Sequence, residues 1–195
     1  MRDDSTGPDA GPPPVKGALR PIRRLANRRL SAANRSAGRS MWTADLGDRP
    51  LTVADLDVHE APASAPVAQA LGLAVGEPVV VRDRLYVVEG EPVQLATSYL
   101  PAALVRDSAI ARPDTGPGGV CARLAELGLR PVRFTEELRV RPPSRTEATR
   151  LRPGPSAPVL EICRTAFTDE GRAVEWTRMV LDPAVFVLEY QLTDA

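Results

Sequence analysis

"VVVRDRLYVVEGEPVQLATSYLP", residues Val79 to Pro101, decides how the rest of the chain is read. Two β-rich runs flank an acidic-Gly turn, the pattern of a hairpin. Side chains alternate along a strand, so Arg82, Arg84 and Tyr86 share one face while Val81, Asp83, Leu85 and Val87 share the other. The two guanidiniums then stand about 7 Å apart and point the same way. Such a pair offers planar forks to a carboxylate or phosphate. Solvation, or pairing with cross-strand acids, is the other reading of the same pattern.

Upstream, "APASAPVAQALGLAVGEP" predicts a helix over Ala65–Leu71, with Ser64 as its cap and Gly72 and Gly76 as breakers. Downstream, "DTGPGGVCARLAELGL" is a Gly-rich loop feeding a helix that stops at Gly128, and "PVRFTEELRVRPP" is a strand. "SRTEATRL" opens with Ser144 and has Glu147 three residues later, a capping box. "APVLEICRTAFTDEGRAVEWTRMVLDP" is a second hairpin, and "VFVLEYQL" a closing strand. The two hairpin regions echo each other: helix, Gly/Pro break, Pro-Val, strand, acidic-Gly turn, strand. Two such units sharing one sheet give an α+β fold, mostly antiparallel, and no βαβ alternation points to a dinucleotide fold.

The totals agree with a single domain. The chain has 195 residues, 43% hydrophobic and 26% charged, with 25 acidic and 25 basic residues. A balanced charge gives no overall field toward nucleic acid or membrane. Lys16 is the only lysine, which looks like the coding bias of a GC-rich genome. Residues 1–18 are rich in Pro, Gly and Asp and predict a disordered tail before a domain over 19–195. From Leu19 to Ala44 there is no acidic residue. Ile22, Leu25 and Leu30 could form an apolar stripe on a short helix there; the segment either touches phosphates or is a lead-in helix or strand docked on the domain. No run is long and apolar enough for a membrane helix, and no secretory signal opens the chain, so the expected address is the bacterial cytoplasm.

Few residues suggest chemistry by themselves. His59 is the sole histidine and reads as a surface residue before a loop; no G-x-S-x-G elbow is present. Cys121 and Cys163 lack metal or disulfide spacing, so neither metal nor cofactor is expected. "GPGG" (Gly116–Gly119) is either a plain turn or a weak anion cradle. In the last hairpin Glu175, Thr177 and Met179 share a face. Trp176, Arg178 and Val180 form the other, which is taken as the core side and leaves Glu175 toward solvent or a cleft.

Taken in order, "APVAQALGL", "GEPVVVRDRLYVVEGEPVQLATSYLPAALV", "DTGPGGVCARLAELGL", "VRFTEELRV" and "PVLEICRTAFTDEGRAVEWTRMVLD" resemble the UTRA effector-binding domain of HutC-subfamily GntR regulators. The resemblance runs from about Arg20 to Leu192. It implies a chorismate-lyase-like fold, commonly dimeric, with a ligand cleft and no catalysis. It also implies site positions: Trp42 and Thr43 match a Phe-Thr pair of phosphosugar binders, Arg84 matches one of two alternating arginines, and Glu175 matches a glutamate of the last hairpin. Tyr86 stands where the second arginine would be, with Arg82 two residues before Arg84. Ala96, Gly119 and Leu181 replace other polar members of that set, which implies a less charged or more apolar ligand than a phosphosugar. The family's winged helix-turn-helix has no counterpart in residues 1–195, so direct DNA binding is not expected. The readout would be a partner protein or a heterodimer with a complete regulator. The alternative is a stand-alone enzyme of a biosynthetic pathway using the same cleft, with Arg84 and Glu175 positioning an anionic substrate.

Overall fold

The computed structural model describes residues 19–25 and 42–191, apart from the side chains of Thr43 and Ala44. The tail expected over residues 1–18 and the Leu30 end of the basic segment lie outside the described residues. In chain order the elements are β1 (Ile22–Leu25), α1 (Thr43–Leu46), β2 (Leu51–Pro62), α2 (Ala65–Leu71), β3 (Pro78–Val88), β4 (Glu91–Pro101) and α3 (Ala102–Val105). A 3-10 turn (Ala109–Ala111) follows, then α4 (Gly119–Glu126), β5 (Arg133–Arg141), α5 (Arg145–Leu151), β6 (Val159–Phe167), β7 (Ala173–Leu181) and β8 (Phe186–Glu189).

Six strands make one antiparallel sheet in the order β2-β3-β4-β7-β6-β5. The two hairpins, β3-β4 and β6-β7, meet at its centre through β4 and β7. Each is preceded by its own helix, so the echo in the sequence is an echo in space. Glu89 (φ 53) and Gly90 (φ 84) both take positive φ, which suits the tight two-residue turn between β3 and β4.

Two outer elements are settled only by the structure. His59 does not precede a loop but lies within β2, a 12-residue outer strand, where its Nδ1 sits 2.7 Å from Asp57. β2 is mostly exposed, so its acidic residues are tolerated and hide the apolar alternation of a strand. Of the two lead-in forms expected for the basic segment, Ile22–Leu25 takes the docked strand rather than the helical stripe. Ile22 and Arg24 are buried and Arg23 is exposed, a period of two. It pairs in parallel with β8, so the closing strand forms a separate two-stranded sheet and does not extend the main one.

Helices α2 and α5 pack on one face of the main sheet, over Val79 and Val81 in the first case and over Leu85, Leu95, Val159 and Val180 in the second. The αL Gly72 (φ 66) ends α2, and its N–H caps the Ala68 carbonyl. In α5 the capping box is formed: Ser144 Oγ accepts from the Glu147 N–H at 3.2 Å, and Glu147 accepts from the Ser144 N–H at 2.8 Å. Ser144→Ala is expected to cost about 1 kcal/mol in urea unfolding. Both cysteines are free, and among the described residues no helix is long and apolar enough to cross a membrane.

Candidate functional site

Residues directly opposite in an antiparallel sheet share a face. Following the register across the strands, Glu136, Arg164, Thr177, Ser98, Arg82 and Val58 therefore form one rung on the face away from α2 and α5. One rung to one side come Phe134, Ala166 and Glu175, with Leu100 and Val80. One rung to the other side are Leu138, Ile162, Met179, Ala96 and Arg84. Tyr86 and Gln94 follow beyond it.

The polar rung runs between two apolar clusters. One holds Val80, Leu100, Ala166, Ile110 and Leu124; the other holds Ala96, Ile162, Met179, Leu181, Trp42 and Phe186. Ser98, Arg82, Thr177, Arg164, Gln94 and Glu175 are each no more than 5% exposed. Burying that many polar groups between two cores costs free energy unless each is paired. Some of them are. Ser98 and Thr177 hydroxyls lie 2.9 Å apart, and Arg84 Nη2 donates to Ser98 Oγ. Arg164 lies 5.8 Å from the centre of the Phe134 ring. Arg24, reaching in from β1, donates to Glu136 and to the Met179 sulfur.

Others keep bonding capacity in reserve. Arg84 Nε, Arg82 Nε and Gln94 Oε1 are buried without a hydrogen-bond partner. The Glu175 carboxylate receives no hydrogen bond among the described residues, although Arg82 lies close enough to feel its charge. Desolvation, then the neighbouring Arg84, pull the Arg82 pKa below its usual value, against the opposing influence of Tyr86 and Glu175. Two guanidiniums on this face thus outnumber the one carboxylate near them, a balance that favours an anion.

The six residues singled out from sequence meet different fates. Arg82, Arg84 and Tyr86 do share the face, and Glu175 points to the same side, two strands away from Arg82. For β7 the core expectation is reversed in degree: Glu175, Thr177, Met179 and Leu181 are buried, whereas Trp176 is half-buried against α2 and Tyr99. Both faces of β7 are covered, so neither is the solvent side. Arg82 spends its fork on the chain itself: Nη1 donates to the Ile110 and Arg112 carbonyls and Nη2 to the Pro113 carbonyl at 3.0 Å. Trp42 is 5% exposed, its ring 4.8 Å from that of Tyr86 and 6.3 Å from that of Phe186. It floors one end of the site. Thr43 opens α1, and its side chain is outside the described set. The Gly-rich loop is a turn: Gly116 N–H donates to Asp114 at 2.8 Å, and α4 begins without a side-chain cap.

Sequence reasoning passed over Ser98, Thr177, Arg164 and Gln94. Their signal is their position, polar residues at the period of otherwise apolar central strands. Only the register shows that they converge on Arg82 and Arg84.

The comparisons with known proteins agree with this fold. The UTRA domain family model matches residues 48–186. HTH-type transcriptional regulator Rv0792c of Mycobacterium tuberculosis is 39% identical over 90 residues, which is 45% of this chain and 30% of that protein. The uncharacterized HTH-type transcriptional regulator SCO4628 of Streptomyces coelicolor is 38% identical over 122 residues, 61% of this chain and 45% of that one. The chain thus spans less than half the length of these relatives. The crystal structure of the effector domain of PhnF from Mycobacterium smegmatis superposes with a TM-score of 0.67 at 20% identity, covering 78% of this chain and 94% of that one, which shows the shared fold. A six-stranded antiparallel sheet with helices packed on both faces, matched over 139 residues by one family's pattern, places the chain in the UTRA domain family.

Proposed function

We propose that the chain is the small-molecule sensing module of a GntR-type regulator of the HutC subfamily, acting as a homodimer in the bacterial cytoplasm. Its output would pass to a DNA-binding domain or to a complete regulator with which it pairs. The supporting observation is the buried polar rung held between two apolar clusters on one face of the sheet. A soluble core has no use for unpaired arginine nitrogens and an unbonded carboxylate at its centre, whereas a ligand site does. The ligand best suited is a small organic acid: its anionic group meets Arg84, a hydroxyl or amine donor meets Glu175, and an apolar body lies toward Tyr86 and Trp42. Arg84 and Glu175 sit two rungs apart along the strands and two strands apart across the sheet, roughly 16 Å between backbones by sheet geometry, so the ligand is elongated and has more than one polar end. Ligand binding would shift the dimer between two arrangements by its differential affinity for them.

A panel of small carboxylates and sugar phosphates, screened by thermal shift on the whole chain and followed by calorimetry, tests this. A carboxylate that raises the melting temperature is expected, and Arg84→Ala should weaken it about tenfold. Arg150→Ala, on the opposite face, should leave its affinity unchanged. Carboxylates that all fail to bind, or a hit indifferent to Arg84, would remove the proposal.

A further inference from the structure

Gln94 lies on the same sheet face as Arg84, one rung farther along and directly opposite Tyr86. It is 2% exposed, and its Oε1 has no hydrogen-bond partner. Its cross-strand neighbour on β7 is Leu181, and Tyr86, Ala96 and Leu181 all belong to the apolar cluster around Trp42. An amide oxygen buried in such company gives up its bond to water and receives nothing in return. Arg84, the diagonal neighbour of Gln94 across β3 and β4, has an unpartnered buried atom of its own, Nε. Diagonal neighbours on one face stand about 7–8 Å apart. A spare donor and a spare acceptor thus lie side by side without bonding each other, which fits a ligand that carries an acceptor and a donor on neighbouring atoms.

We infer that Gln94 reads a hydroxyl on the carbon next to the ligand's carboxylate, so that this end of the site selects 2-hydroxy carboxylates. The inference rests on the small-acid reading above and narrows it. The carboxylate accepts from Arg84, the hydroxyl donates to Gln94 Oε1, and the hydrocarbon part lies along Tyr86 and Trp42, whose rings are 4.8 Å apart. A hydroxyl suits the place better than an ammonium. A cation there would stand one rung from the Arg84 guanidinium, with Glu175 three rungs away. A site with a buried acceptor also rejects an analogue that leaves it unpaired. Packing does not account for Gln94, since methionine is equally unbranched and carries only a weakly accepting sulfur.

Calorimetry of the whole chain with a matched set of acids tests it: 4-methylpentanoate, its 2-hydroxy derivative and its 2-amino derivative, leucine. These probe the Arg84 end of the site alone. The 2-hydroxy acid is expected to bind at least about tenfold more tightly than either of the others. In Gln94→Met its advantage over 4-methylpentanoate should shrink to about twofold or less. The ligand-free variant should melt no lower than the parent, and up to about 4 °C higher, because an unpaired polar group has left an apolar cluster. Binding of 4-methylpentanoate that depends on Arg84 but gains nothing from the 2-hydroxyl would overturn the inference and leave the small-acid reading standing. A gain that survives Gln94→Met, or a preference for leucine, would do the same. A variant that melts lower would also overturn it, since Gln94 would then be paired already in the free chain. Failure of all three acids to bind would overturn it too, and the carboxylate panel then decides whether the small-acid reading falls with it.

Discussion

Arg82→Leu is expected to lower the stability of the chain by about 3 kcal/mol, seen as a melting temperature roughly 10 °C lower. The side chain is 3% exposed, and its fork donates to three carbonyls, those of Ile110, Arg112 and Pro113. Hydrogen bonds from a charged donor contribute about 1.5–3 kcal/mol each, less whatever water recovers when the donor is removed. Leucine would fill part of the volume and leave the carbonyls without their donor. The effect should be local as well as global: amide exchange should quicken around residues 109–113, the segment that Arg82 ties to the sheet. Arg84→Leu gives the contrast. Arg84 is half-buried and makes one side-chain hydrogen bond, to Ser98, so its loss should cost no more than about 1 kcal/mol. Urea unfolding of the two variants decides the matter, and equal losses would show that the pair is not divided between holding the loop and meeting a ligand.

That division was hidden in the sequence. Alternation alone places Arg82, Arg84 and Tyr86 on one face, and it is right. The carbonyls that occupy Arg82 come from a segment some thirty residues later, whose approach to β3 is a matter of tertiary packing. The rest of the site was hidden by two bulges. Counting back from a two-residue turn at Glu89-Gly90 sets Arg82 opposite Thr97, which belongs to the other face. The observed pairing is with Ser98, because the register shifts between Tyr86 and Val87. A one-residue slip exchanges the two faces of a strand, so polar partners on β4 cannot be assigned without locating the bulge. The same happens in the second hairpin, where a shift between Ala166 and Phe167 sets Glu175 opposite Ala166.

The fold itself was far more legible, for a reason of the same kind. The two hairpins and α2 and α5 are local, each marked by its own breakers and caps, and their echo told how they share a sheet. β2 carries an edge strand's composition, and the β1-β8 pair joins segments more than 160 residues apart. Neither has a local signal strong enough to compete with its polar neighbours.

The opposite face of the sheet supplies the second large effect. Glu147 on α5 accepts from Arg141 Nη1 at 2.7 Å and Nη2 at 2.8 Å, from Arg178 Nη2 at 2.8 Å and from the Ser144 N–H at 2.8 Å. Glu161 shares the same two arginines, at 2.8 Å and 2.6 Å. Arg178 lies between Thr177 and Met179, whose side chains face the candidate site, so this network braces the strand that carries them. Removing one partner from a buried ionic cluster strands the others, and Glu147→Ala is expected to cost about 3–5 kcal/mol. The hydrogen bonds from Arg141, against the cost of burial, hold the Glu147 carboxyl at about 2 rather than 4.5, and Glu161 is lowered by the same arginines. A carboxyl depressed by folding stabilises fully above its unfolded pKa and loses that contribution as the pH falls through its folded one. From 4.5 to about 2 the shift is worth roughly 3 kcal/mol. Wild-type stability should therefore decline between pH 5 and pH 2, by more than that of Glu147→Gln, which has no such proton to take up. Their difference in urea unfolding should be greatest near neutrality and shrink in acid. A gap that stays constant down to pH 2.5 would mean that Glu147 contributes through packing and capping alone, and that the ionic brace behind the site is not one.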